Sequence, residues 1–145
     1  MRRLAEDLGI KAPSLYKHVS DKAALEAALI EDALFTMGDA LHSAVRTPGR
    51  AGALARLLRA YRSSSLEHPN RYRLATSGQL RRDLLPEGLE GWAGQPFLFA
   101  AGSRFRSQAL WSFAHGMVIL EIDDRYPAES DLDRTWKAGA AAFAH

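Results

Sequence analysis

The stretch LGIKAPSLYKHVSDKAAL, residues 8–25, decides the fold prediction for this 145-residue chain. Gly9 should end a short helix over residues 2–8, because glycine enters the left-handed conformation without steric cost. Pro13 is tolerated in the first turn of a second short helix, which we expect to run to about Val19. A short helix, a glycine-containing turn and a second short helix form a helix-turn-helix, an element that reads the major groove of DNA.

Helical periodicity also dominates the remainder of the chain, and strand-like alternation is nearly absent. Ser20 or Asp21 can cap a third helix that continues past residue 41. A later stripe at i, i+3, i+4 and i+7 predicts a helix with one buried face; it consists of Leu54, Leu57, Leu58 and Tyr61. The pattern therefore predicts an all-α fold, a bundle of short and medium helices.

Two segments mark how the bundle is organised. RTPGR at residues 46–50 is the clearest break, so we expect a DNA-reading region over residues 1–46 and a second domain over residues 47–145. Residues 77–96 contain four glycines and two prolines, which predicts that any helix there is short or bent.

Residues 105–122 form the strongest predicted helix of the second half. It is apolar on two sides and needs cover on both, from its own core or from a second chain.

Composition excludes several classes of protein. Hydrophobic residues make up 47% of the chain and charged residues 25%, as in ordinary globular proteins. No apolar run approaches the length of a membrane span, and no apolar segment of a secretory signal follows the N-terminus. The chain has no cysteine, which removes disulfides, thiolate metal sites and thiol nucleophiles. We expect a cytoplasmic protein with no membrane partner.

Charge is unevenly distributed although the net charge is only +2. Nine arginines and a single acid, Glu67, occur between Arg46 and Arg82, whereas residues 121–133 contain six acids and one arginine. The basic segment could face nucleic acid, an acidic ligand or the acidic segment of a partner subunit. It could equally be a set of solvated helix faces, and the sequence leaves these alternatives open.

The predicted second helix places its polar residues outward if Leu15 and Val19 face the core, and no acid occurs between Lys11 and Ser20. The longer stretch LAEDLGIKAPSLYKHVSDKAAL resembles the second, third and early fourth helices of the tetracycline-repressor (TetR) family of transcription regulators. The resemblance implies base and phosphate contacts at Lys11, Pro13, Ser14 and Lys17. It implies contacts to the DNA backbone at Tyr16, His18 and Lys22. The last three should then set affinity, and residues 11–17 sequence preference.

Two stretches of the second half, AYRSSSLEHPNRYRLA and ALWSFAHGMVILEI, are similar to the C-terminal domain of TetR regulators known for its Trp, His-Gly (WHG) signature. The signature residues here are Trp111, His115 and Gly116. The resemblance implies an effector-binding and dimerisation domain. We expect an effector pocket that includes Tyr61, Tyr72, Phe97, Trp111 and His115. We expect a dimer interface that includes Ala114, Gly116, Met117, Trp136 and Phe143.

His115 has three possible roles: a metal ligand or general base, a packed histidine that hydrogen-bonds within its domain, or an effector contact. No second histidine or carboxylate stands at metal-ligand spacing on its helix, because Glu121 is six residues on. The structural role is favoured, with the effector contact next. We predict no metal, no cofactor and no catalytic residue; a small helical enzyme is disfavoured because no nucleophile–base pair or phosphate-binding loop is visible.

The resemblance implies a ligand-responsive transcriptional repressor that binds a palindromic DNA operator as a homodimer. TetR proteins have a further helix before the segment that begins here at Met1. We therefore expect that this chain lacks the first helix, that Leu4, Leu8, Leu15, Leu25 and Leu29 lose part of their cover, and that the chain dimerises but binds DNA weakly or not at all. The alternative function is an effector-binding dimer that no longer binds DNA.

Overall fold

Helices account for most of the chain in the computed structural model, which describes residues 1–46 and 52–144. In chain order they are α1 (Arg2–Asp7), α2 (Ala12–Tyr16), α3 (Lys22–Val45), α4 (Ala53–Glu67), α5 (Pro69–Thr76), α6 (Leu89–Ala101), α7 (Arg104–Ile122) and α8 (Leu132–Ala142), with a 3₁₀ turn at Arg82–Leu84. No strand occurs within the described ranges. The prediction of an all-α fold is confirmed.

Gly9 ends α1 as predicted. Its φ is +65°, its N–H donates to the carbonyl of Glu6, and the next N–H, that of Ile10, donates to the carbonyl of Ala5. This pair of bonds is a Schellman motif, which satisfies two carbonyls at the helix end. α2 follows at once with Pro13 in its first turn. α2 ends at Tyr16, three residues before the predicted end, although turn-type hydrogen bonds continue to Val19.

The long helix α3 begins with a side-chain cap. Asp21 Oδ1 accepts a hydrogen bond from the N–H of Ala24 over 2.8 Å, which satisfies one of the unpaired donors of the first turn. The helix has 24 residues and is therefore about 36 Å long. It runs from α2 into the bundle, where it contacts α4, α5 and α6. α3 is the structural link between the two predicted domains.

The core lies where α4, α6, α7 and α8 meet. The stripe predicted for α4 is inside, with Leu57, Leu58 and Tyr61 almost fully buried. α7 contributes Leu110, Ala114, Met117 and Val118, and α8 contributes Trp136. One apolar side of α7 is therefore covered by its own chain. The opposite side carries exposed hydrophobic residues, chiefly Phe105 and Leu120.

α6 begins in the glycine- and proline-rich segment 77–96, where any helix was predicted to be short or bent. It has 13 residues, continues beyond that segment to Ala101 and contains Pro96. Proline has no N–H, so the carbonyl of Trp92, four residues earlier, lacks its usual helical donor. Nε2 of His42, on α3, lies 2.9 Å from that carbonyl oxygen and supplies the hydrogen bond instead. A tertiary contact thus stabilises a helix that the sequence disfavours locally.

The packing of α3 on α6 depends on close approach at Gly38. A Cβ added there would lie 2.4 Å from Cζ3 of Trp92, so the indole ring occupies the space of the missing side chain. The same ring stacks between Phe35 and His42, with centroid distances of 5.3 and 4.9 Å. The contact between α3 and α6 therefore consists of stacked aromatic rings, and the absence of a side chain at Gly38 makes room for the indole.

The predicted break at residues 46–50 lies outside the described residues except for Arg46, so the boundary between residues 46 and 47 stays a prediction. Among the helices described, none combines the length and the apolar character that a bilayer span demands.

Candidate functional site

The helix-turn-helix presents its predicted DNA-contacting residues on the surface. α2 and its flanks expose the side chains of Lys11, Pro13, Ser14, Tyr16, Lys17, His18 and Lys22. Leu15, in the middle of α2, is buried and anchors it against α1. The local pattern of one inward residue among polar neighbours therefore gives a continuous polar face.

Several features suit this face to a phosphate backbone. Its lysines supply positive charge, and Ser14 and Tyr16 add hydroxyl groups that can donate to phosphate oxygens. Lys22 also forms an i, i+4 ion pair with Glu26 over 3.1 Å, but the lysine side chain stays 78% exposed. Such an exposed pair contributes little to stability. The lysine can therefore exchange Glu26 for a phosphate at little cost.

Apolar surface lies next to this face. Leu8 and Leu29, two of the leucines expected to lose cover, are 59% and 45% exposed, and Ile10 between the first two helices is 42% exposed. Leu4 and Leu25 are half-buried, and Leu15 is buried. The expectation of an exposed patch is thus met at two of the five leucines.

The five residues predicted for an effector pocket come together in space. The hydroxyl oxygens of Tyr61 and Tyr72 are 2.7 Å apart, and the hydroxyl of Tyr72 is 2.7 Å from Nδ1 of His115. Phe97 packs edge-on against Tyr61, and Trp111 stacks on the imidazole of His115. α4, α5, α6 and α7 each contribute to this aromatic–hydroxyl cluster, so it exists only in the assembled bundle.

The hydrogen bonds of the cluster can run in either direction. Either tyrosine hydroxyl can donate to the other, and the tautomer of His115 decides whether the Tyr72 hydroxyl donates to Nδ1 or accepts from it.

Burial favours the uncharged form of each group in the cluster. Desolvation raises the pKa of Tyr61 to about 12, against smaller opposing effects of its hydrogen bonds with Tyr72 and Trp111. Desolvation also raises the pKa of Tyr72, and it lowers the pKa of His115. The cluster is therefore neutral at physiological pH.

Two cavities of about 340 and 520 Å³ lie between the helices, and none of the five cluster residues lines either of them. Trp111 is 47% exposed, so one edge of the cluster opens to solvent. A ligand would reach the cluster from this edge. Within the described residues, no group of three or more histidines and carboxylates could hold a metal ion.

The residues predicted for a dimer interface separate into two sets. Ala114, Met117 and Trp136 are buried in the core of their own chain and have no surface left for a second chain. Phe143 is half-buried and packs against Phe113. Gly116 lies on the uncovered side of α7, where an added Cβ would meet no atom within 4 Å. Any interface on α7 must therefore use its outer side, near Gly116, rather than the inner residues that the sequence suggested.

The basic segment is largely neutralised inside the chain. Five of its nine arginines form ion pairs; the pairs are Arg62 with Glu121 and Asp133, Arg73 with Asp123, Arg71 with Asp32, Arg81 with Asp83, and Arg82 with Glu90. Three of the acids belong to the acidic segment 121–133 of the same chain. Arg50 lies outside the described residues. The charge asymmetry of the sequence thus reflects pairing between helices, an alternative that the sequence analysis did not consider.

Arg62 is the most connected of these arginines. Its guanidinium donates to Glu121 with distances down to 2.6 Å, and to Asp133, and it lies over the ring of Trp136. The indole N–H of Trp136 donates to the same Glu121. The hydrogen bonds to Glu121 and Asp133 raise the pKa of Arg62 and lower that of Asp133. This network joins α4 to α7 and α8.

Comparison with protein-family models and with curated proteins gives no match. Among solved structures, the chain is similar to a crystal structure of SCO4313, a protein provisionally assigned as regulatory. The similarity covers 98% of this chain and 83% of that one, with a TM-score of 0.79 and 21% sequence identity. At this identity the likeness establishes the fold alone, and with the helix order it confirms the predicted all-α helical bundle.

Proposed function

We propose that this protein is a transcription regulator of the TetR type, which binds a DNA operator as a homodimer and responds to a small effector. The observation that carries the proposal is the helix-turn-helix face, where all seven residues implied in DNA contact are exposed around the buried anchor Leu15. The likeness of nearly the whole chain to a protein provisionally assigned as regulatory supports it. The regulator acts as a repressor when the free protein occupies the operator.

The outer side of α7 supports the dimer. Phe105 is 81% exposed and Leu120 is 42% exposed on this side, and Gly116 allows close approach of a second helix. Large exposed hydrophobic side chains are typical of surfaces that contact another chain. Two copies related by a two-fold axis would place two helix-turn-helix elements against successive major grooves, which requires a palindromic operator.

The aromatic–hydroxyl cluster supports the effector response. It joins four helices through a short chain of hydrogen bonds, and Trp111 and the imidazole of His115 form its open edge. A ligand that binds this edge would favour one arrangement of α4, α5 and α7. The long helix α3, which packs on α5 and α6, would transmit the change to the DNA-reading helices.

The test is selection of binding sites from a random pool of DNA duplexes, followed by gel-shift titration at several salt concentrations. We expect binding that is weak, as the sequence indicates, but that still enriches a palindrome with half-sites one helical turn apart, about 10 base pairs. Lys17→Ala should weaken binding and reduce the salt slope by about one unit. Lys137→Ala on α8 removes the same charge far from α2 along the chain and serves as the matched control.

The DNA-binding proposal would be contradicted by a folded dimer that enriches no sequence and binds random DNA no more tightly than the Lys17→Ala variant does. Such a protein would fit the alternative of an effector-binding dimer. Sedimentation and circular dichroism of the same sample distinguish this result from misfolding or from a monomer.

A further inference from the structure

A separate cavity lies between the C-terminal half of α3 and α6. It has a volume of about 340 Å³ and is lined by His42, Val45, Gln95, Pro96, Leu98 and Phe99. This volume is within the range of small-molecule sites, at its lower end. The lining is almost wholly apolar apart from the imidazole of His42 and the amide of Gln95. None of these residues belongs to the aromatic–hydroxyl cluster.

The imidazole of His42 has a fixed orientation in this wall. Nε2 faces the carbonyl oxygen of Trp92, and a carbonyl can only accept, so Nε2 carries the proton. In the neutral ring Nδ1 is then an acceptor. Within residues 1–46 and 52–144 Nδ1 has no hydrogen-bond partner, and none of the buried polar side-chain atoms described there lacks one, so Nδ1 is open to solvent.

From this geometry we infer a second ligand site between α3 and α6, for a small planar apolar molecule that carries one hydrogen-bond donor, such as a phenol or an indole. The apolar walls take the ring system, and Nδ1 of His42 accepts the hydrogen bond. The stack of Trp92 on the imidazole, with centroids 4.9 Å apart, together with the Nε2 hydrogen bond, holds the acceptor in place before the ligand arrives. A pre-organised acceptor lowers the entropic cost of binding.

The position of the site gives it a regulatory consequence. A ligand in the cavity contacts α3 through His42 and α6 through Leu98, and therefore stabilises one arrangement of the two helices. α3 also carries the DNA-reading helices at its other end. This consequence rests on the proposed function, whereas the ligand site itself does not.

Binding is tested on the full chain by NMR with three probes of similar size: 1-naphthol, which has a donor, 1-methoxynaphthalene, which has only an acceptor, and naphthalene. We expect 1-naphthol to bind about threefold to tenfold more tightly than the other two, the effect of one hydrogen bond. The resonances of the Trp92 indole and the His42 ring should shift. The Trp111 indole, in the other cluster, should shift little.

Two variants locate the contact. His42→Phe keeps an aromatic ring beside Trp92 and removes the acceptor at the Nδ1 position, so it should abolish the preference for 1-naphthol while naphthalene binds as before. Leu98→Ala removes part of the wall and should weaken all three probes severalfold. Leu84→Ala changes a leucine that is also about 40% exposed but lies outside the cavity, and it should leave binding unchanged.

Equal affinity for the three probes, or shifts confined to residues outside the cavity, would overturn the inference. Absence of binding at millimolar concentration to a folded protein would do the same. The regulatory consequence is read separately, from release by 1-naphthol of a duplex obtained by the selection above. Naphthol binding without any DNA binding would leave the ligand site standing and count against the proposed function alone.

Discussion

Nε2 of His42 donates a hydrogen bond to the carbonyl oxygen of Trp92 over 2.9 Å, in place of the backbone donor that Pro96 lacks. The two residues are 50 positions apart, and the bond joins the helix that follows the helix-turn-helix to a helix of the C-terminal bundle. It supplies the donor that the carbonyl of Trp92 would otherwise lack.

His42→Phe should lower the free energy of unfolding by about 1 kcal/mol, because it keeps an aromatic ring beside Trp92 but leaves the carbonyl without a donor. Pro96→Ala restores the backbone N–H. In the Pro96→Ala background, His42→Phe should therefore lower the free energy of unfolding by much less. Urea unfolding of the four proteins of this double-mutant cycle measures the coupling. Additive effects would show that the side-chain bond does not replace the missing donor.

Two glycines on the helices that meet at Trp92 should respond in opposite directions. Gly38→Ala places a methyl group 2.4 Å from the indole ring and should destabilise the protein by about 1–3 kcal/mol. Gly94→Ala, inside α6, meets no atom within 4 Å and should stabilise the protein by about 0.5–1 kcal/mol through helix propensity. Thermal unfolding compares the two. A loss of stability in both would contradict the packing described at Gly38.

In the aromatic–hydroxyl cluster, removal of the Tyr72 hydroxyl, which lies between two partners, should lower the free energy of unfolding more than removal of the Tyr61 hydroxyl. Tyr72→Phe leaves both the Tyr61 hydroxyl and Nδ1 of His115 without this partner, and should lower the free energy of unfolding by about 1–3 kcal/mol. Tyr61→Phe leaves the bond between Tyr72 and His115 in place and should lower it by about 1 kcal/mol. Chemical unfolding measures both variants. The ¹⁵N shifts of His115 should change in Tyr72→Phe, which removes the partner of Nδ1, and change less in Tyr61→Phe.

Stability should fall as the pH is lowered below the ordinary pKa of histidine. Burial lowers the pKa of His115 in the folded state below its ordinary value of 6.5, so the unfolded chain binds the proton more readily. The contribution of His115 is fully present above pH 6.5 and is lost as the pH falls from there through the lower folded-state pKa. Melting temperatures between pH 7.5 and 5 should show a drop that His115→Gln reduces. An NMR titration of His115 checks the direction of the shift directly.

Two substitutions on the DNA-reading face should have different signatures. Lys22→Ala should weaken binding to all sequences alike and reduce the salt slope by about 0.9, the effect of one lost phosphate contact. Ser14→Ala should instead change which base is preferred within the half-site, with a smaller change in salt dependence. Competition gel shifts against half-site variants separate the two effects. The reverse pattern would exchange the roles assigned to the two residues.

The helix-turn-helix half of the molecule could be predicted from the sequence because its determinants are local. The turn at Gly9 ends α1 through backbone bonds that span three and five residues, and Asp21 caps α3 through a residue three positions away. Leu15 faces inward simply because α2 is amphipathic. Such interactions depend on neighbours in the chain, and the sequence displays those neighbours directly.

The C-terminal half could be predicted only in outline. The apolar stripe of α4 indicated its buried face, and the chosen effector residues do meet in space. Periodicity could not tell which apolar face of α7 is covered by its own chain, so Ala114, Met117 and Trp136 were assigned to an interface although they lie in the core. Burial depends on which helices pack together, and periodicity carries no such information.

By itself, the sequence determined the helical class, the position of the helix-turn-helix and the polar face around Leu15, because each follows from short-range geometry. Only the tertiary structure decided that Arg62 and Arg73 bind acids of the 121–133 segment and that His42 stabilises the helix containing Pro96. These partners are about 50 or more residues apart. The sequence shows that a charged residue, or the carbonyl four residues before a proline in a helix, requires a partner. The packing of the helices determines which residue that partner is.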